Sequence, residues 1–479
     1  MQYHGYITEG YFDELIDDGG TARLQARPLL DRISALGDGE LVRRQVAAEA
    51  AMFESGTTFN VYGDDRTTER IIPFDVVPRI IEASVWDRVE RGLRQRIEAL
   101  NLFIADVLGT GRILDDRVVP REFVPIHHAV VRWCREADVM PPRGIYCHIS
   151  GIDLVRDGEG EFVVLEDNLR CPSGVSYVLE NRYVLKQTFP RLFESLPIRT
   201  IDDYPERLLG TLEHLAPDAV DRPRIVVLTP GSYNSAYFEH AYLAQQMGVP
   251  LVEAGDLVVD DGYVKMLTTR GPQRVDVIYR RVNDEFIDPA VFHRDSVLGV
   301  PGIMGVYREG RVALVNAPGA GVADNKVIYS FVPDMIRYYL RQEPILPNVE
   351  TFLCAREDDR RYVLENLDKL VIKPADEAGG KGILVGPHAS EAQRKEMGEK
   401  LAKDPGGYIA QPTLSLSRVP TVIDGKLEGR HVDLRPFILY GRDIYVLPGG
   451  LTRVALRRGS LVVNSSQGGG TKDTWVLAK

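Results

Sequence analysis

Between Leu30 and Leu108 the apolar residues return every three or four positions, as in Ile81, Val85, Val89, Leu93 and Ile97, with few turn residues between them. That interval keeps one side of a helix apolar, so a helical N-terminal region is predicted over residues 1–140. After Pro141 and Pro142 the pattern changes to short β-rich runs broken by Asp-Gly turns, which predicts the start of a sheet. Residues 224–257, RIVVLTPGSYNSAYFEHAYLAQQMGVPLVEAGDL, read as an apolar strand, a turn at Gly231, a helix and a second strand from Val249. This βαβ unit lacks G-x-G-x-x-G, so it predicts a Rossmann-like supporting lobe over residues 218–345 and not a dinucleotide site. From Lys369 onward, tight turns at Asp424-Gly425, Gly441-Arg442 and Arg458-Gly459 separate short runs, as in antiparallel sheet. Proline and polar residues gather at 217–223 and 343–347, where lobe boundaries are placed. The fold class is therefore mixed α/β (α+β) with several lobes.

Composition agrees with several packed lobes: 479 residues, 44% hydrophobic and 27% charged, exceed what one ordinary core serves. Lys and Arg number 58 against 69 Asp and Glu, a net charge of −11, with the basic residues scattered among acids. No nucleic-acid partner is expected from that distribution, whereas a small anion held by local cations is compatible with it. Cys134, Cys147, Cys171 and Cys354 form no C-x-x-C pair, so a reducing compartment is expected. The start MQYHGYITEGYFDEL has no signal-peptide pattern and no run of eighteen apolar residues occurs, so a cytoplasmic protein without a membrane partner is expected.

The segment Gly151–Gly174, GIDLVRDGEGEFVVLEDNLRCPSG, has two apolar runs around Asp157-Gly158-Glu159-Gly160 and predicts a hairpin. With Arg156 opposite Glu161, Asp153 falls opposite Val164, and Glu166 and Asn168 follow at period two on the same face. Val163 and Leu165 would then fill the other face. Two carboxylates and an amide are hard oxygen donors suited to Mg²⁺, which keeps phosphate and water in its shell, so Asp153, Glu166 and Asn168 are candidate metal ligands for MgATP. On an uncovered sheet the same side chains would only meet solvent.

A covering lobe is offered by Leu367–Gly386, LDKLVIKPADEAGGKGILVG, read as a strand ending at Lys373, a glycine loop and a return strand through Ile383 to Val385. Gly379, Gly380 and Gly382 would let backbone N–H groups approach phosphate, with Lys373 and Lys381 adding charge. It is not a Walker A loop, because Lys381 precedes Gly382 and a strand follows. Alone, such a loop reads equally as a flexible turn. Lys326 in ADNKVIY, Gln411 in YIAQP, and Asp433 and Arg435 in HVDLRPFILYG accompany it.

Lys326, Lys373 and Gln411 together resemble the nucleotide-binding lysines and adenine-hinge residue of the ATP-grasp superfamily. Asp153 with Glu166-x-Asn168 is similar to its metal signature, but here that signature precedes the lid. This order resembles the circularly permuted ATP-grasp proteins related to glutathionylspermidine synthetases, across nearly the whole chain, including YRRVND, NAPGAGVADNK and NSSQGGGTKDTWVL. The resemblance implies that residues 141–217 carry the metal-binding part of the large lobe, 218–345 a Rossmann-like pre-ATP-grasp lobe and 346–479 the lid with the rest of the nucleotide lobe. Departures are Arg170 where the synthetases have Asp, and Gly151 where they have Arg.

The implied reaction is an ATP-dependent carboxylate–amine ligation through an acylphosphate, with small-molecule or peptide acids and amines as substrates. Arg170, Arg435 and Arg453 are candidates for stabilising transferred phosphoryl charge, their planar forks suiting phosphate, although each could equally be an ion-pair residue. Ser173, Gly174, Asn464 and Lys472 are candidate substrate contacts, while a tail such as QGGGTKD usually reads as a loop. Cys171 has no neighbouring His in sequence and is assigned no role, and His127 and His128 would point apart on a strand. A phosphotransferase and a non-catalytic nucleotide-binding protein are the alternative readings.

Overall fold

The computed structural model describes residues 6–37, 39–59, 70–218, 220–376, 382–461, 463 and 468–479. At its centre is a nine-stranded sheet in the order Ile444–Val446, Phe437–Tyr440, Ile149–Arg156, Lys426–Arg435, Leu451–Val454, Gly470–Val476 and Phe74–Ile81. Phe162–Asn168 joins it on Ile149–Arg156, and Arg418–Ile423 on Lys426–Arg435. Side chains alternate between two covered faces, as period two requires. Ile152, Leu154, Leu434 and Ile438 pack beneath the long helix Ala83–Leu108, through its buried Val89, Leu93, Ile97 and Leu100. Ile149, Phe437, Leu439 and Leu451 face the helices Val175–Thr188 and Tyr204–His214.

The βαβ unit is present. Ile225–Leu228, the helix Tyr237–Met247 and Leu251–Val252 belong to a parallel four-stranded sheet completed by Val277–Arg280 and Ala313–Val315. The three longest of these strands read IVVL, VIYR and ALV, without alternation, because both faces of the sheet are buried. A second small sheet, Phe352–Leu353, Tyr408–Pro412, Leu370–Pro374 and Leu384–Val385, is antiparallel throughout. It packs with the helices Glu357–Glu365 and Glu391–Lys403 around its own core of Val363, Leu370, Ile372, Met397, Leu401 and Ala410.

Three stretches depart from the reading of the sequence. The region read as helical contains the strand Phe74–Ile81, FDVVPRII, buried at every position. A strand buried on both faces carries no two-residue alternation, and its Asp75 and Arg79 fall on buried positions, so no period separates it from the helix. Ile81 therefore ends a strand, and the helix begins at Ala83. Part of the tail is not a loop, since Gly470–Val476 is a strand that runs parallel to Phe74–Ile81 with every residue buried. Their register shifts between Lys472 and Thr474, opposite the stretch holding Pro78, which has no N–H to give to a ladder. His127 and His128 sit in an exposed turn before the helix Ala129–Ala137 and not on a strand.

Candidate functional site

The hairpin forms, but with a register that sequence spacing does not give. Arg156 faces Phe162, Leu154 faces Val164, Asp153 faces Glu166 and Gly151 faces Asn168. Leu165 is the extra residue between the Leu154–Val164 and Asp153–Glu166 pairs. The turn closes one residue later than expected, as Asp157 Oδ1 accepts the N–H groups of Glu159 and Glu161 at 3.0 and 2.9 Å. The bulge has a tertiary cause. Val164 donates to Pro347 O at 2.9 Å, accepts from Val349 N at 3.0 Å, and its carbonyl also accepts from Tyr329 Oη at 2.5 Å. The expected pairing of Asp153 with Val164 is thus corrected, and the extra residue sets Glu166 directly across from Asp153. The face opposite the carboxylates is filled by Ile152, Leu154, Phe162 and Val164. Val163 and Leu165 instead pack with Val155, Val349 and Leu416.

Period two sends Asp167 to the buried opposite face, where Arg96 of the long helix grips it through Nε at 2.7 Å and Nη2 at 2.6 Å. This anchor between the two metal candidates was not read from the sequence, although an acid at that phase of a buried strand requires a partner. Asn316, also missed, ties the same region. Its Oδ1 accepts from the N–H groups of His148 and Ile149 at 2.8 Å each, and its Nδ2 donates to the carbonyls of Ile149 and Leu169 at 2.6 and 2.8 Å.

The small sheet brings its polar side chains to this point. Lys373 pairs with Ile409 and Val371 with Gln411, which leaves Lys373 and Gln411 diagonal on one face with Nζ to Oε1 at 2.6 Å. Gln411 Nε2 is held by Thr351 Oγ1 at 3.0 Å. Lys373 is 8% exposed. Burial lowers its pKa to about 8 although the Glu166 and Asp153 carboxylates pull upward, and the neighbouring Lys326 pushes it the same way as burial. Lys326 opens the short helix Lys326–Tyr329, capped by Asn325, whose Oδ1 accepts from Val327 N at 2.7 Å. Its own N–H reaches Ala375 O of the small sheet at 3.2 Å, and its Nζ lies 3.2 Å from Glu166 Oε1.

Two candidate arginines meet Asp153. Arg435 forks onto it, Nε to Oδ1 at 2.5 Å and Nη2 to Oδ2 at 2.8 Å, while Nη1 reaches Ser173 O at 3.4 Å. Arg453 donates through Nη2 to Asp153 Oδ2 at 2.7 Å and through Nε to both oxygens of Asp433 at 3.0 Å. Burial alone would raise the Asp153 pKa, but the two guanidiniums outweigh it and hold the carboxyl well below the usual range. Arg170 stands apart, paired through Nε with Asp324, whose other oxygen accepts from Leu169 N at 2.6 Å. Cys171 is half-buried with its thiol pKa raised by burial, as expected of a structural thiol.

The remaining candidates divide. Ser173 presents its carbonyl to Arg435. Gly174, at φ 119°, leads into the helix Val175–Thr188, and its N–H goes to Glu239 Oε2 at 2.7 Å. Glu239 also accepts from Ser176 N and Oγ at 3.1 Å each and is held by Arg281 at 3.1 Å, a buried cap that sequence spacing did not reveal. Lys472 is corrected as a substrate contact. It is 0% exposed and directs its ammonium to Asp75 and, at 3.0 Å each, to the carbonyls of Val77 and Pro420. Gly382 has φ 70°, and a Cβ there would stand 2.9 Å from Pro374 Cγ. Gly379, Gly380, Lys381 and Asn464 lie outside the described residues.

The trio suits a hard cation in donor type, and the Asn168 Nδ2 end of its amide is buried without a partner. Turning that amide over would place its oxygen there, on the face of Glu166 and diagonal to Asp153 across the ladder. Among the described residues no three His, Cys, Asp or Glu side chains converge as a metal group, so an ion here would rest on two carboxylates, the amide and phosphate or water.

Residues 78–455 match the family described as circularly permuted ATP-grasp type 2. An uncharacterized protein of Synechocystis sp. is 58% identical over 478 residues, covering 100% of this chain and 99% of its own. A Frankia alni protein bearing the name "Putative glutamate–cysteine ligase 2-3" is 42% identical over 473 residues, covering 98% of this chain and 54% of its own length. A solved glutathione synthetase like-effector from Globodera pallida, in apo form, shares the fold with a TM-score of 0.62 at 10% identity, over 92% of this chain and 98% of its own. The family match spans most of the chain and the fold agrees with it, and the chain belongs to the circularly permuted ATP-grasp family.

Proposed function

We propose that this chain is an ATP-dependent carboxylate–amine ligase. A substrate carboxylate oxygen attacks the γ-phosphorus of ATP, the bond to the β-phosphate oxygen breaks and ADP leaves. The amine nitrogen then attacks the acyl carbon, phosphate departs, and the nitrogen loses a proton to give the amide. Such chemistry depends on positioning and charge neutralisation more than on covalent work by the protein.

The observation that carries this reading is the meeting of Lys373, Gln411, Lys326 and Glu166 where the small sheet closes over the central one. Lys373 and Lys326 would neutralise phosphate oxygens, and Gln411 with the edge of its strand would receive the adenine. Asp153, Glu166 and Asn168 would hold Mg²⁺, which supplies charge neutralisation across the phosphates. Arg435 and Arg453, both bonded to Asp153, would stabilise transferred phosphoryl charge, whereas Arg170 is engaged by Asp324. The Frankia name and the glutathione synthetase likeness favour amino acids or short peptides as acid and amine. No helix among the described residues is long and apolar enough to cross a membrane.

The test is ADP release from MgATP with pooled amino acids, peptides and polyamines, comparing the native chain with Glu166→Gln and Lys373→Ala. Ligation requires ADP formation that depends on both an acid and an amine and is lost in both variants. ADP formed with an acceptor but no amine would instead establish a phosphotransferase. Nucleotide binding without turnover in any pool would favour a binding protein.

A further inference from the structure

We infer that Arg435 is a displaceable counter-ion standing at Asp153 in place of a metal ion, so that this carboxylate takes a divalent cation only when an anion receives the freed guanidinium. The inference rests on the reading of Asp153, Glu166 and Asn168 as the metal-binding trio. Asp153 is 3% exposed and both its oxygens are spent, Oδ1 on Arg435 and Oδ2 on Arg435 and Arg453. The two arginines are held unequally. Arg453 lies between two carboxylates, Asp153 and Asp433, and stays paired if one is withdrawn. Arg435 has Asp153 as its carboxylate partner, with one longer bond to Ser173 O at 3.4 Å, and its side chain is 15% exposed.

Gly151 explains how Arg435 reaches across the strand. A Cβ at that position would lie 3.2 Å from Arg435 Cδ and 3.3 Å from its Cγ, so the bare backbone is the channel the side chain occupies. On the other side of the trio Glu166 leans 3.2 Å from Lys326, and Asn168 Nδ2 has no partner. Every carboxylate of the site is therefore neutralised by a cation of the protein itself.

Withdrawing Asp153 from Arg435 strands a half-buried guanidinium, a penalty on the order of 10- to 10²-fold in affinity for whatever withdraws it. A phosphate removes the penalty, because the planar fork of Arg435 donates to two phosphate oxygens as readily as to a carboxylate. Metal and phosphate then favour each other at this site by the same factor in both directions. Free divalent ions are refused while their nucleotide complex is admitted.

The experiment titrates Mn²⁺ into the full chain without nucleotide, read by electron paramagnetic resonance, with circular dichroism to verify folding. Arg435→Met should bind Mn²⁺ at least tenfold more tightly than the native chain. Asp153→Asn added to Arg435→Met should abolish that gain. Gly151→Ala, whose new methyl crowds the stem of Arg435, should shift affinity the same way by a smaller factor, and it decides the question if Arg435→Met does not fold. Equal Mn²⁺ affinity in native, Arg435→Met and Gly151→Ala chains, or weaker binding in Arg435→Met, would overturn the inference. The readout needs no turnover, so failure of the ligase reading leaves it standing, and ADP formation with unchanged Mn²⁺ binding refutes it alone.

Discussion

Replacing Lys373 by Met should make the nucleotide-free protein slightly more stable while making it a poorer binder of MgATP. The ammonium is buried, and its pKa falls from 10.5 to about 8 because burial penalises the charge. Keeping it protonated there costs about 3 kcal/mol relative to water. Methionine removes that cost but strands Gln411 Oε1, which now accepts from Lys373 at 2.6 Å, and an unpaired amide oxygen costs about 1–2 kcal/mol. The net is a gain of about 1–2 kcal/mol, on the order of 1–2 °C in Tm for a chain of this size unfolding as a unit. Against that, losing a charge-assisted bond to phosphate should weaken MgATP by about 10- to 100-fold. Differential scanning fluorimetry with and without MgATP reads both effects in one experiment. The native chain should also show pH dependence that the variant lacks. Below about pH 8 Lys373 is charged before and after binding, whereas above it binding must take up a proton, so affinity falls about tenfold per pH unit. A variant that melts several degrees lower without nucleotide, or one that MgATP protects as well as it protects the native chain, would refute the reasoning.

Glu239→Ala should be strongly destabilising, on the order of 3–5 kcal/mol, because it leaves buried Arg281 without its carboxylate and the N–H groups of Gly174 and Ser176 without an acceptor. Thermal melting or soluble yield checks it, and Glu239→Gln should recover part of the loss. Asp13 has its pKa pushed up to about 6 by burial, so its contribution to stability is full below about pH 4 and is lost as pH rises through about 6. Asp13→Asn should remove about 3 kcal/mol of that pH dependence in urea unfolding between pH 4 and 7, and an unchanged slope would contradict it. Gly174→Ala should lower Tm, since φ is 119° and the added Cβ meets Leu451 Cδ2 at 2.9 Å.

Local periodicity made much of this molecule legible. The βαβ unit, the return of Leu384–Val385 onto Leu370–Pro374 and the helical spacing of Val85, Val89, Leu93 and Ile97 follow from short-range pattern alone. The oxygen donors of the hairpin were legible too, because Asp153, Glu166 and Asn168 are odd occupants of apolar strands. Their register was not, because the bulge at Leu165 depends on hydrogen bonds between Val164 and residues 347–349, nearly two hundred positions away. The same distance hid the fork of Arg435 on Asp153, which needs both the adjacency of Lys426–Arg435 to Ile149–Arg156 and the missing side chain at Gly151. Lys472 misled for the opposite reason. A lysine in a glycine-rich stretch reads as exposed, yet it sits on a buried strand opposite Asp75.

The parallel pairing of Phe74–Ile81 with Gly470–Val476 also sets the order in which the molecule can be assembled. Strands almost four hundred residues apart must find each other before the central sheet is complete, and contacts of such separation are slow to form because the loop must close before they repay it. Until then Phe74–Ile81 is an unpaired apolar edge, the kind of surface through which nascent chains associate wrongly. Trp475, fully buried against Phe193 at 4.7 Å between ring centroids, is positioned to report by fluorescence the moment at which that edge is closed.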